Sequence, residues 1–388
     1  MKYLHLVWRN VFRKKTRTVL TMSSIVLVLV LIVTLVSLLA AMEQDPSGGK
    51  GANRLVVQHA TGLANFLPLS QRQRIEQIPG VVAVSPEMWF GGVYKDERPE
   101  NWIGQLSADP DIYFDKIFDD AKIDPKVNAE WKATRSGFVA GKSLVDRFHW
   151  KPGDHITLRG TYIPITLDLV YVGQYTSGDE SNIFFSNEVL NQANWRGANK
   201  VTGLYYLKVA RGEDVPRVAA AIDRMFENSD APTKTLTEKQ FQLQFLEMMG
   251  NVKFLIRGIS LIILFSVTLI VANTVAMSAR ERVTEIAVMR TLGYRRSHIL
   301  SFILSESVVM ALLGGLFGVA LARWVFIPMI KAVGSKTSLS GFLINFKVSP
   351  ATLLMAFTVS VGVGILAGFV PAIRSSQIRI VDGLRKVV

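Results

Sequence analysis

The sequence predicts an α-helical membrane protein with four transmembrane helices and a mixed α+β extracytoplasmic domain inserted between helices 1 and 2. Three observations carry that prediction. Of 388 residues, 49% are apolar and only 19% charged, an apolar excess beyond that of ordinary soluble chains. The excess is concentrated in runs long enough to cross about 30 Å of hydrocarbon as helix. The basic residues gather in the short segments that flank and join those runs, as they do in cytoplasmic loops.

Residues 1–17 are a basic segment in which Leu4, Val7, Trp8, Val11 and Phe12 recur at helical spacing. That pattern suits either a helix in the headgroup layer or a plain basic flank. Residues 18–42 form the first span, of which Val19 to Met42 carries no charge over 24 residues. A signal-peptide core runs only about 7–15 residues, so an uncleaved anchor is expected. Residues 43–251 form the outside domain and its stalk, and residues 252–279 the second span, with 22 uncharged residues from Gly258 to Ala279. Residues 280–298 form a second cytoplasmic segment. The third span, 299–327, carries Glu306 in its first half and continues past Arg323; residues 328–349 make a short outer loop. The fourth span, 350–373, belongs to the 26 uncharged residues from Val348 to Ile373, and residues 374–388 are a cytoplasmic tail.

Charge orients these spans. The three segments 1–17, 280–298 and 374–388 hold 15 basic residues against three acidic ones, Glu281, Glu285 and Asp382. The stretch from Glu43 to Arg257 holds 25 basic and 27 acidic residues. Both termini are therefore expected in the cytoplasm. Nearly all of the net charge of +13 reflects membrane topology, which removes its support for nucleic-acid binding. The absence of cysteine excludes disulfides, thiolate metal sites and a cysteine nucleophile.

In the outside domain, Arg54 to His59 reads as a strand, Ser70 as the N-cap of a helix ending near Pro79-Gly80, and Val81 to Val84 as a further strand. Gly141 to Phe148 is helical, Lys151 to Asp154 turns, and strands follow at His155 to Leu158 and Ile165 to Val172. Tyr205 to Val209 is a strand, and a helix runs from near Asp214 to Phe226. Thr237 to Arg257, with Phe241, Phe245, Met248 and Val252 on one stripe, reads as a helical stalk. Gly141-Lys142-Ser143 resembles the end of a phosphate-binding loop, but Ser136 stands where such a loop requires glycine. The five histidines show no ligand pair at helical spacing, so no metal is expected. Asp119-Asp120 and Asp179-Glu180 read as solvated loop acids rather than catalytic pairs.

In the membrane, Gly314 and Gly318, and Gly364 and Gly368, form Gly-x-x-x-Gly pairs, which permit close helix packing within the bundle or across a dimer. Glu306 lies about two turns inside the third span, where an ionisable side chain either snorkels to the interface or is paired for function. From Ala279 a helix continues out of the membrane to Leu292 and stops at Gly293, a left-handed cap. Charged and apolar residues alternate around it without one apolar face, which suits insertion into a protein groove better than contact with lipid.

This loop closely resembles that of the FtsX/MacB-like ABC permease family. Glu281, Arg282, Glu285, Ile286, Ala287, Arg290, Thr291, Leu292 and Gly293 stand at the spacing of the family's loop pattern, and Glu306 at that of its acid in the next span. Arg17 to Met22 resembles the family's approach to the first span. Pro371-Ala372 and Val381 to Arg385 resemble its end, with Gly383 in place of the usual alanine. Ile78 to Val81 and Pro152 to Asp154 are similar to recurrent family turns. The resemblance implies a MacB-like outside domain and a permease without enzymatic activity or bound cofactor of its own. ATP and magnesium would be held by a separate cytoplasmic ATPase dimer. Its closure would pass through Glu285, Ile286, Met289, Arg290, Leu292 and Gly293 to the outside domain, by mechanotransmission. A second permease copy, identical or a close paralogue, membrane lipids and, in some branches, a periplasmic adaptor are the implied partners, and the bacterial inner membrane the implied location. Export (efflux) of an amphipathic lipid, lipoprotein, peptide or drug is the favoured activity. Its alternatives are FtsX-like control of a cell-wall hydrolase or peptide sensing, and a standalone receptor or membrane enzyme that needs no ATPase.

Overall fold

A computed structural model describes residues 14–43, 49, 51–193, 200–248, 252–334 and 348–378. The apolar positions of segment 1–13, most of the outer loop 335–347 and the tail from 379, with Asp382 and Gly383, lie outside the described residues, as do the side chains of Phe245, Met248 and Val252. The chain divides into two compact units, residues 1–41, 251–330 and 346–388, and residues 42–250 with 331–345.

The chain opens with α1 (Lys15–Glu43) and enters the second unit. Its strands are β1 (Arg54–His59), β2 (Leu67–Pro68), β3 (Val81–Trp89), β4 (Gly92–Tyr94), β5 (Gly104–Ala108), β6 (Lys122–Ile123), β7 (Gly137–Gly141), β8 (His155–Gly160), β9 (Thr166–Thr176), β10 (Asn182–Ser186), β11 (Val201–Thr202), β12 (Leu204–Val209) and β13 (Thr233–Thr237). Its helices are α2 (Gln71–Glu76), α3 (Pro125–Ala133), α4 (Lys142–Phe148), α5 (Asn187–Gln192), α6 (Val215–Phe226) and α7 (Glu238–Met248).

The main sheet runs β13-β1-β12-β3-β5-β10-β7-β9-β8-β4, with β6 on β9 and a separate β2-β11 pair. Two lobes meet along β3, which pairs with β12 from Val81 to Glu87 and with β5 at Met88 and Trp89. In the first lobe the pairs are antiparallel. There α6 buries Val215, Val218, Ile222 and Phe226 against Leu55, Val57, Tyr205 and Leu207, positions that recur with helical and strand periodicity respectively. In the second lobe β5-β10 and β7-β9 are parallel. Central strands are buried on both faces: Phe138, Ala140, Ile183 and Phe185 enter one core, and Val139 and Phe184 the other. Strands covered on both faces lose the alternation that marks a half-exposed strand, which is why β5, β7 and β10 carried no sequence signal. The five-residue wide turn at Tyr113–Ile117 was equally silent. Ser70 precedes α2, but its side chain makes no capping hydrogen bond.

The first unit continues with α8 (Val252–Glu281), α9 (Val283–Thr291), α10 (Arg296–Leu321), the start of α11 (Ile327–Gly334) up to Ile330, and α12 (Pro350–Ser376). Four helical stretches, 15–40, 254–281, 296–330 and 350–376, are long and apolar enough to cross a membrane. A widened turn, Ala322–Phe326, separates α10 from α11. It lies just before Pro328, whose ring would collide with the Trp324 carbonyl in a regular helix.

The glycine pairs both pack inside this unit. A Cβ on Gly314 would stand 2.8 Å from Ile25, and one on Gly318 3.1 Å from Leu29, so α1 lies on that stripe of α10. A Cβ on Gly364 would stand 2.5 Å from that of Ala311, and one on Gly368 would collide with Ser307. The Ser360 hydroxyl donates to the Ala311 carbonyl at 2.7 Å. The second stripe thus seats α12 on α10. Within the chain, these glycines are spent on intramolecular packing.

Candidate functional site

The loop between α8 and α10 folds as a short helix set off by one residue. Arg282 leaves helical geometry at φ −111, ψ 16, and α9 starts behind it. The other end closes at Gly293, with φ +89. The Gly293 amide donates to the Arg290 carbonyl and the Tyr294 amide to that of Met289, each at 3.1 Å. These two bonds make a Schellman cap, which requires the left-handed region that glycine enters without a steric penalty.

The break at Arg282 turns its side chain inward onto Glu306 of α10. The guanidinium Nη1 donates to Oε2 at 3.0 Å and the Ser278 hydroxyl to Oε1 at 3.3 Å. Glu306 is 6% and Arg282 8% exposed, so the carboxylate is paired in the interior and does not snorkel. A charge at that depth persists only with such partners. The pair borders a cavity of about 230 Å³ whose walls include Val275, Ile286, Met289 and Phe302.

The two sides of α9 differ. Ile286 and Ala287 are buried, and Met289 packs on the membrane core. Arg290 is half-buried and donates to the Ser376 carbonyl at the end of α12, at 3.2 Å. Glu285, Leu292 and Gly293 are exposed. Of the six residues assigned to coupling from the resemblance, Ile286, Met289 and Arg290 therefore hold α9 to the bundle, Leu292 and Gly293 are exposed away from it, and Glu285, also exposed, borders the cavity beside Arg282 and Glu306. The outer side also carries Val288 and Tyr294, 44% and 38% exposed, beside Leu292 at 73%. Their exposure was illegible because the turn at Arg282, which decides the facing of α9, has no local signature. At the same end, Glu281 accepts from Arg17 at 2.9 Å and pairs with Lys14 at 2.7 Å, while Arg17 also donates to Ser278 at 3.0 Å. The charged ends of α1, α8 and α10 are thus joined through Ser278.

In the second unit, the Gly141-Lys142-Ser143 segment carries the Glu180 carboxylate of the chain itself, which accepts from the Ser143 amide at 3.2 Å. A Cβ on Gly141 would collide with the Glu180 backbone, so this glycine serves close packing. His149, His155 and His298 are exposed and His59 half-buried. Among the described residues no group of three His, Cys, Asp or Glu side chains is placed to hold a metal. Asp179 fastens its own loop through the Ser181 and Asn182 side chains.

Asp120 departs from the expected solvated acid. It pairs with Arg54, which is buried at the start of β1 and also meets Glu238 of α7 at 2.7 Å. Burial alone would lower the Arg54 pKa, but Glu238 and Asp120 outweigh it and keep the guanidinium charged. Nearby, Glu87 on β3 is buried and accepts from the Tyr113 hydroxyl at 3.0 Å. Burial, opposed by that hydrogen bond and reinforced by the Glu238 charge, pushes its pKa up to about 8.

Comparison with known families is decisive for identity. Residues 18–225 match the MacB-like periplasmic core domain and residues 257–380 the FtsX-like permease C-terminal domain. The chain belongs to the FtsX/MacB-like family of ABC transporter permeases. An uncharacterized ABC transporter permease of Methanocaldococcus jannaschii is 22% identical over 97% of this chain and 96% of its own length. The macrolide export ATP-binding/permease protein MacB of Neisseria gonorrhoeae is 33% identical over 35% of this chain. That of Escherichia coli is 31% identical over 41%. This permease spans only 20% and 22% of the lengths of those two MacB proteins. The crystal structure of the periplasmic region of MacB from Actinobacillus actinomycetemcomitans aligns with 51% of this chain and 94% of its own, at TM-score 0.38 and 10% identity. The chain carries four helices long and apolar enough to cross a membrane and a mixed α/β domain between the first two, as an ABC transporter permease of this family does.

Proposed function

We propose that this permease receives a separate cytoplasmic ABC ATPase dimer on the outer side of α9. ATP-driven closure then passes to the membrane helices and onward, by mechanotransmission, to the extracytoplasmic domain. The asymmetry of α9 carries this reading. Val288, Leu292 and Tyr294 lie exposed on one side, where a protein groove would bury them, and the other side is bound to α8, α10 and α12 through Arg282, Glu306 and Arg290. A push on the outer side reaches three helices through a hydrogen-bonded ion pair and a backbone contact.

ATP and magnesium sit on the ATPase, a second permease copy completes the membrane unit, and both termini lie in the cytoplasm of an inner-membrane protein, a reading that the basic loops support. Export of an amphipathic substrate is the activity, with a periplasmic adaptor in attendance. The likeness to MacB proteins whose names state macrolide export supports export over hydrolase control. The test is purification from the native membrane with stoichiometric partners identified, followed by Val288→Glu and Leu292→Glu. Both variants should stay folded and inserted and lose at least tenfold in ATPase stimulation. Stimulation within twofold of the parent in both would refute the docking side, and recovery without any ATPase would refute the coupling.

A further inference from the structure

In the second unit, the segment 113–120 is rooted in one lobe and fastened to the other. Tyr113 and Phe114 lie in a core of the second lobe with Val139 and Phe184. The rest of the segment rests on three strands of the first lobe. The Tyr113 hydroxyl donates to Glu87 of β3 at 3.0 Å, Phe118 meets Tyr206 of β12 with ring centroids 5.3 Å apart, and Asp119 accepts from Lys208 of β12 at 2.6 Å. Asp120 pairs with Arg54, the first residue of β1. Arg54 has a second acid: its Nε donates at 2.7 Å to Glu238, the first residue of α7. Its guanidinium also lies 4.5 Å from the centre of the Phe118 ring, and the residue is 2% exposed. Elsewhere α7 packs on β1 and β13 and reaches Gln58 of β1 through Gln244 at 3.1 Å, all within the first lobe. Arg54 therefore ties α7 to the second lobe as well.

We propose that Arg54 is the joint that carries movement of α7 into the second lobe, making α7, the root of β1 and the segment 113–120 move as one body. The guanidinium offers its donors in a rigid planar fork, so the directions to Glu238 and Asp120 are fixed relative to each other. Drawing either carboxylate away would leave a buried charge uncompensated, which opposes separate movement of the two acids. Phe118 and Tyr206 close the space beside the fork, and a packed interior transmits displacement rather than absorbing it. The place of the joint in the chain suits this role. β1 is the first strand after α1, and α7 is the last helix before α8, so the cation binds the two ends of the domain to each other and to its second lobe. The proposal rests on mechanotransmission only for the drive: a permease without an ATPase would lack that drive and still possess the joint.

The test is double electron–electron resonance on the full chain in nanodiscs, with spin labels on introduced cysteines in a chain that has none of its own. Lys239→Cys on α7 is combined with Ala220→Cys on α6 of the first lobe, or with Ala129→Cys on α3 of the second; all three positions are exposed. Both distance distributions should be narrow in the parent. Asp120→Ala should widen the distribution between α7 and the second lobe at least twofold and leave that between α7 and the first lobe unchanged. Arg54→Met should widen the second-lobe distribution by at least as much. If Arg54→Met does not fold, Asp120→Ala decides alone, since its side chain is 20% exposed and its loss leaves Arg54 paired with Glu238. Arg72→Met is the control: it removes another ion pair between the lobes, Arg72 to Asp109 at 2.8 Å, without touching α7, and should leave both distributions unchanged. A second-lobe distribution unchanged in Asp120→Ala, or widened as much in Arg72→Met, would overturn the proposal.

Discussion

Replacing Arg282 by Met removes the guanidinium that faces Glu306 while keeping most of the side-chain volume. The carboxylate, 6% exposed, then retains the Ser278 hydroxyl at 3.3 Å. Stripping one partner from a buried ion pair costs about 3–5 kcal/mol, because the other charge is left uncompensated. Glu306→Leu alone should also be costly, since it leaves the buried Arg282 guanidinium without its carboxylate. The double variant Arg282→Met, Glu306→Leu should regain most of the loss, as apolar replacements of buried pairs are often neutral. Reversible unfolding of the four proteins in mixed micelles gives the coupling energy directly. A coupling of at least about 2 kcal/mol is expected between these two contacting residues. Single losses below about 1 kcal/mol, or a double variant equal to the sum of the singles, would refute the pair as the interior joint between α9 and α10.

Glu87 makes the second unit pH-dependent. Its pKa of about 8 stands above the ordinary 4.5, so between those values the folded state holds a proton that the unfolded state has released. Its contribution is complete below about pH 4.5 and lost as pH rises through about 8, a difference of up to about 5 kcal/mol. Thermal unfolding of the full chain should show this unit less stable at pH 8 than at pH 5.5, with a shallower slope in Glu87→Gln; identical slopes would contradict it. Gly364→Ala, where a Cβ meets Ala311 at 2.5 Å, should destabilise the helical unit by about 1–3 kcal/mol. Gly362→Ala, with open space around it, should be neutral or slightly stabilising in the same unfolding assay. Gly293→Ala should raise hydrogen exchange at the end of α9 by forcing a side chain into φ +89 at about 1 kcal/mol. Gly293→Asn should suffer less, and equal exchange in all three proteins would remove the cap from the account.

Some features of this permease were legible residue by residue. The spans follow from runs of uncharged side chains, and the end of α9 from one glycine. The packing stripes follow from glycine spacing. The strand at Arg54 to His59 and the helix closing at Phe226 were found with nearly the observed bounds. The double-covered strands β7 and β10 were missed, because five-residue apolar segments read alike in several structures.

Local chemistry along the sequence thus determined the membrane class, the insertion of the mixed domain between the first two helices, and the stop of α9, since each depends on side chains a few residues apart. Tertiary structure alone decided that Glu306 meets Arg282 and Ser278, 24 and 28 residues earlier. It also decided that Arg54 gathers acids 66 and 184 residues away, and that Val288 rather than Ile286 faces outward. The reason is physical: a charge is retained in the interior only by whichever partner the packing of distant helices and strands brings within about 3 Å, and no local spacing records that choice.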